Sequence, residues 1–245
     1  MEKEKDFIYG VRAVIEAIRG GKEITKILIQ KGLEKELLNE LNAEMKGKNY
    51  QLQFVPYERL QRATTGNHQG VVAYISPVEY ADLEQVIMKC FDNGKEPFIL
   101  VLDRITDVRN FGAIARSAEC FGADAIVIPA KGSVNITPDA IKTSAGALNT
   151  IPVCKVDQIA DGVDIMQSLG VKVYSCTEKG MQKAEDMNFK EPCAIVMGSE
   201  KDGITPKVIK RSNGVFQIPM KGNIQSLNVS VSAGIAAYEV LRQRS

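Results

Sequence analysis

A single histidine, His68, stands in the 245 residues. A histidine-rich metal site or a Ser-His-Asp triad therefore has almost nothing to be built from. The five cysteines, Cys90, Cys120, Cys154, Cys176 and Cys193, are scattered and form no C-x-x-C pair. An odd, unpatterned set of this kind predicts reduced, mostly buried thiols in a cytosolic chain, and its spacing implies no metal. No G-x-G-x-x-G follows the first strand of the larger domain and no G-x-x-x-x-G-K-[ST] occurs, which argues against a nicotinamide oxidoreductase and a nucleotide P-loop. Apolar runs such as AIVIPA from Ala125 are far too short to cross a bilayer. The first residues, MEKEKDF, are charged where a secretory signal would be apolar. The expectation is a soluble cytoplasmic protein with no membrane partner. Charge of one sign is also lacking: the net value is +1. Any nucleic-acid contact must come from local patches rather than a global basic field.

What is present is an ordinary globular composition, 44% hydrophobic and 25% charged, with no internal repeat or low-complexity stretch. Residues 1–77 read as a compact α/β unit. An amphipathic helix carries Val11, Val14, Ile15 and Ile18 and stops at Gly20-Gly21. An alternating strand spans 24–30, a second helix 34–45 and a second strand 50–55. A short helix follows Pro56, and the strand 71–75 comes after the glycine-bounded loop TTGNHQG at 64–70. Residues 78–96 read as a linker containing an amphipathic helix that ends at Asn93-Gly94. Beyond Pro97, in 97–245, strands and helices alternate, which predicts a mainly parallel, doubly wound sheet. Ligands of such sheets bind beyond the carboxyl ends of the strands.

Three segments place polar, glycine-containing turns at such ends. The first is FILVLDRITDVRNFGAIARSAECFG at 98–122. The second is AIVMGSEKDGI at 194–204, and the third is IPMKGNIQSLNVSVSAGIA at 218–236. Taken one at a time each has a plain structural reading. Asn110, Ser226 and Asn228 suit helix capping, Gly198 suits a tight turn, and Arg116 suits a surface ion pair with Glu119 or Glu200. The final helix is apolar or small nearly all round, so burial on more than one side is expected.

Taken together, the segments resemble the three motifs of the SpoU (TrmH-like) branch of the SPOUT methyltransferases. The resemblance rests on Asn110 with Arg116, Gly198 with Glu200 and Gly203, and Ser226-Leu227-Asn228 after Ile218-Pro219. It covers essentially the whole chain and is nearest the bacterial 23S rRNA guanosine 2′-O-methyltransferases. It implies methyl transfer from S-adenosylmethionine to a ribose 2′-hydroxyl of 23S rRNA, a SPOUT domain with a C-terminal trefoil knot, and a homodimer. It also implies that the N-terminal unit is an L30e/L7Ae-like RNA-binding domain. Asn110, Arg116, Glu200, Ser226 and Asn228 would then form the catalytic set. Gly198, Ile218, Met220 and Leu227 would offer backbone and apolar surface to the adenosyl group. His68, Gln69, Arg59 and Arg62, with Lys22, would meet RNA, although His68 equally suits a residue that orders its own turn. Arg109 beside Asn110, and the Ser199-Glu200-Lys201-Asp202 turn, vary next to the signature positions and bear on substrate choice. A tRNA 2′-O-methyltransferase and a non-catalytic RNA-binding module related to ribosomal L30e proteins are the competing readings.

Overall fold

The computed structural model describes residues 7–47, 50–224 and 226–245; the charged start of the chain lies outside them, apart from Phe7. Residue contacts divide the chain into two units, Met1–Glu79 with Ile136–Pro138, and Tyr80–Asn135 with Asp139–Ser245.

The first unit is built from β1 (Phe7–Tyr9), α1 (Val11–Arg19), β2 (Ile24–Gln30), α2 (Lys35–Met45), β3 (Gln51–Val55), α3 (Tyr57–Ala63) and β4 (Val71–Ile75). Its sheet runs β1-β4-β2-β3, antiparallel except for the β2–β3 pair. The helical spacing of Val11, Val14, Ile15 and Ile18 buries all four against Ile27, Ile29, Val71 and Ala73. A smaller cluster of Leu28, Val55, Leu60 and Val72 fills the opposite face under α3.

The second unit contains β5 (Tyr80–Ala81), α4 (Leu83–Asp92), β6 (Phe98–Asp103), α5 (Val108–Cys120), β7 (Ala125–Pro129), α6 (Pro138–Thr143), β8 (Val153–Val156) and α7 (Ile159–Ser168). After these come β9 (Lys172–Cys176), β10 (Gln182–Lys183), β11 (Cys193–Gly198), α8 (Pro206–Arg211), β12 (Gly214–Gln217) and α9 (Val229–Arg244). The eight strands are ordered β10-β12-β9-β11-β6-β7-β8-β5 and every pair is parallel. The central strands β6, β7 and β11 are nearly continuous apolar runs, as strands covered on both faces must be, and they are buried almost throughout.

Of residues 78–96, expected as a linker, those from Tyr80 onwards fall in the second unit. β5 pairs with β8, and Leu83 and Ile87 of α4 enter the main hydrophobic core beside Val163 and Met166 of α7. The amphipathic stripe that marked the helix is what docks it. Asp82 caps α4 by accepting from the Gln85 N–H.

α9 is buried on one side only, contrary to the expectation from its composition. Val229, Ala233, Ala236, Ala237 and Val240 face inward, while Val231, Ile235, Tyr238 and Leu241 are exposed. Small residues allow close approach to α5, where Gly234 lies against Ser117. At the far end of the helix the Arg244 guanidinium donates to the carbonyls of Glu96, Pro97, Phe189 and Glu191, at the starts of β6 and β11. Among the described residues no helix is long and apolar enough to cross a membrane.

Candidate active site

Ile218 and Met220, after β12, and Leu227 and Asn228, before α9, share one cavity with Cys176 at the end of β9 and Gly198 at the end of β11. The resemblance puts the knot in this region, where the three motif segments meet. Asp107, not Asn110, caps α5 by accepting from the Asn110 N–H at 2.8 Å. Asn110 is therefore a first-turn residue with its amide free for other partners. Its Nδ2 donates to Glu200 Oε1 at 3.2 Å. Asn228 Nδ2 donates to the same Glu200 oxygen at 2.7 Å and to Asn110 Oδ1 at 3.1 Å. Asn228 also caps α9, its Oδ1 accepting from the Ser230 N–H at 2.9 Å and the Ser230 hydroxyl at 2.5 Å. One residue from each motif thus joins a closed triangle of hydrogen bonds, with a carboxylate as the shared acceptor.

The turn that carries Glu200 is rigid for local reasons. Ser199 and Gly203 exchange backbone hydrogen bonds of 3.2 and 2.9 Å. A Cβ on Gly198 would collide with the Gly203 carbonyl group, so glycine is needed there by the turn itself. Asp103, at the end of β6, is buried and accepts from the Thr205 N–H at 2.5 Å. Next to it Arg104 adopts a left-handed φ of 63° and donates to the Gly203 carbonyl at 3.2 Å. A non-glycine residue in that region is strained by about 1–2 kcal/mol, and here the surrounding bonds hold it. The β6 and β11 loops are fastened to each other through Asp103 and Arg104.

Beside the triangle is a cavity of about 350 Å³, a size that holds a drug-sized ligand. Gly198, Ile218, Met220 and Leu227 all line it, together with Glu200, Ser226 and Asn228. Ser226 and Leu227 are exposed at its edge. Cys176, Thr177 and Glu178, at the carboxyl end of β9, form a wall that the motif reading did not include. The signal was available, because β9 was legible as a strand and its carboxyl end belongs to the ligand-binding edge of a parallel sheet. Burial pushes the Cys176 thiol up to about 12, with the Glu178 charge acting in the same direction. The Cys176 thiol is therefore a weak nucleophile.

Arg116 does not join the triangle. Six residues beyond Asn110 it points about 120° away around α5, it is exposed, and among the described residues it makes no hydrogen bond or ion pair. The expected pairing of Arg116 with Glu119 or Glu200 is absent, and Glu200 bonds the two asparagines instead.

In the first unit, His68 orders its own turn. It is 4% exposed, its Nδ1 accepts from the Gly70 N–H at 3.0 Å, and its ring lies 5.0 Å from that of Tyr57. Gln69 is exposed with a left-handed φ of 49°, and Arg59 and Arg62 are exposed on α3, which the Tyr57 contact brings to this loop. Lys22 sits in the turn between α1 and β2.

Known proteins with this combination are consistent among themselves. The model of the SpoU rRNA Methylase family matches residues 97–238, and that for RNA 2′-O ribose methyltransferase substrate binding matches 7–81. YacO of Bacillus subtilis (strain 168), named as a TrmH family tRNA/rRNA methyltransferase, is 33% identical over 245 residues, 100% of this chain and 98% of its own. The SpoU methyltransferase AviRb from Streptomyces viridochromogenes, solved in complex with the cofactor AdoMet, superposes with a TM-score of 0.60 at 23% identity. That match covers 97% of this chain and 90% of AviRb. An AdoMet-bound rRNA methyltransferase from Sinorhizobium meliloti gives 0.62 at 22% identity, over 96% and 86% of the two chains. At these identities the two structures establish the fold.

Proposed function

Because this chain belongs to the SpoU methylase family, we propose that it transfers a methyl group from S-adenosylmethionine to a ribose 2′-hydroxyl of RNA. The favoured substrate is a guanosine of 23S rRNA. The observation that carries the reading is the meeting of Asn110, Glu200 and Asn228 at the mouth of a cavity lined by Gly198, Ile218, Met220 and Leu227. The cavity lining suits the donor: apolar Ile218, Met220 and Leu227 would flank a flat base, and the polar Thr177 and Glu178 would meet a ribose. When bound, the donor supplies an electrophilic methyl on a sulfonium.

In the reaction a C–O bond forms to the 2′-oxygen, the S–C bond breaks, and the hydroxyl proton leaves. Much of such catalysis is positioning. The triangle holds Glu200 with one oxygen used twice, leaving the other to orient the target ribose. A guanidinium offers donors and no acceptor site, so Arg116 clamps the target phosphate, and the proton goes to that phosphate or to solvent. The exposed apolar face of α9, Val231, Ile235, Tyr238 and Leu241, is proposed as the contact between two copies in a cytoplasmic homodimer. Light scattering at micromolar concentration tests it, and a strictly monomeric protein would overturn it.

Methyl transfer from labelled S-adenosylmethionine to unmodified 23S rRNA, with tRNA in parallel, tests the function. Label in 23S rRNA at one alkali-resistant linkage is the expected result. Label only in tRNA keeps the chemistry and changes the substrate. The small N-terminal unit matched to substrate binding is what favours rRNA. No label in either, with no donor binding, would leave an RNA-binding module.

A further inference from the structure

The arginines of the second unit fall into two groups. Arg104 contacts Asp103, Asp202 and the Gly203 carbonyl. Arg211 is held by Asp164 and the Ala160 carbonyl, Arg242 by Glu239, and Arg244 by backbone carbonyls. Only Arg109 and Arg116, both exposed, have no bonded partner among the described residues. Both lie on α5, seven residues apart. Seven residues fall about 20° short of two full turns, so the two share a stripe, separated by about 10.5 Å along the axis. Ala113, four residues after one and three before the other, lies between them and carries only a methyl group. Arg109 is also the neighbour of Asn110 in the triangle.

We propose that Arg109 and Arg116 form a two-point clamp on the backbone of the RNA substrate, each engaging a different phosphate of the strand that carries the target ribose. This deepens the methyl-transfer reading and rests on it. Unpaired guanidinia two turns apart engage successive positions of a polyanion, because converging on one phosphate would require both side chains to fold inward over Ala113. A guanidinium matches phosphate geometry with parallel N–H donors, and such contacts set register without reading bases. The chain has no basic field to draw RNA in, so local cations carry that task.

The test is the salt dependence of RNA affinity for the wild type, Arg109→Ala, Arg116→Ala and the double variant. S-adenosylmethionine affinity is measured on each as a check on the fold. Each lost phosphate contact lowers the slope of log affinity against log salt by about 0.7–0.9. The expected result is one such step for each single variant and two for the double. Affinity should fall about fivefold per residue, the upper range of an exposed ion pair, equally for target and scrambled RNA. Arg109→Lys should restore most of the slope. A slope unchanged in Arg109→Ala overturns the proposal, as does a double variant no shallower than Arg116→Ala alone. Failure of the methyl-transfer reading would show separately, as a wild type that neither binds the donor nor methylates RNA.

Discussion

Two loops of this chain read alike as sequence, TTGNHQG at 64–70 and KGNIQSLN at 221–228, yet they use their polar groups in opposite ways. The first closes on itself. Thr64 Oγ1 accepts from the Gly66 N–H, His68 Nδ1 accepts from the Gly70 N–H, and the Gly70 carbonyl accepts from Gln30. His68 and Gly70 end up buried. The second stays open. Its described residues are exposed, Ile224 at 79%, and among them Asn228 holds it to the rest of the unit through side-chain bonds. A loop whose polar atoms are satisfied internally is structure. One that presents apolar side chains and solvent-exposed polar groups at the rim of a cavity is shaped for a ligand. Composition alone does not separate the two.

The contrast is sharpest at Glu200. Glu200→Ala removes the shared acceptor, and a misplacement on the ångström scale costs about 100-fold in rate. Initial rates of methyl transfer should fall by about that factor, whereas Glu200→Gln, which keeps the oxygen shared by the two asparagines but replaces the ribose-facing oxygen with an amide nitrogen, should lose less. Leu227→Ala acts on the open loop by removing apolar surface from the cavity rim. Donor affinity should drop about tenfold by calorimetry, in line with a lost aliphatic contact, with the unfolding midpoint unchanged. Gly70→Ala tests the closed loop. Its φ is +80° and a Cβ would lie 2.6 Å from Leu33 Cδ1, so denaturant unfolding should show a loss of about 1–3 kcal/mol with donor affinity intact. If Gly70→Ala instead weakened donor binding, the division between the two loops would collapse.

The smallest effect concerns the thiols. Burial raises Cys154 and Cys176 from an ordinary 9 to about 12. The folded state keeps these protons when the unfolded chain begins to lose them, so the associated stability is complete below pH 9 and declines as pH rises towards 12. Melting temperature should be flat from pH 7 to 9 and fall beyond. At pH 8 a maleimide should label the exposed Cys120 before Cys154 or Cys176.

Most of the sheet was legible because its strands are bounded apolar runs and its motif loops sit at strand ends. β8 and α7 carry weak sequence signals: VCKV is short, and IADGVDIMQS buries Ala160 and Gly162, small positions that blur the helical pattern. For α4, an amphipathic helix looks the same in sequence whether it bridges two units or docks on one, and its contacts with the core through Leu83 and Ile87 show only in the structure. Gly198, Ile218, Met220 and Leu227, grouped by the motif resemblance, line one cavity. The geometry of Arg116 was not legible, since residues six apart on a helix diverge and sequence spacing alone cannot show what a side chain finds there. His68 was undecidable before its burial and its bond to Gly70 were seen.

α9 is fastened at both ends, by Asn228 to the carboxyl edge of the sheet and by Arg244 to the amino edge. Its 16 residues span about 24 Å at 1.5 Å each, close to the depth of a six-residue strand with its loops. The helix therefore works as a spacer of fixed length and fixed rotation. One residue inserted within it would turn Asn228 about 100° relative to Arg244, so that only one of the two attachments could form. The distance at which the third motif stands over the first two is, in this sense, metered from the opposite edge of the sheet.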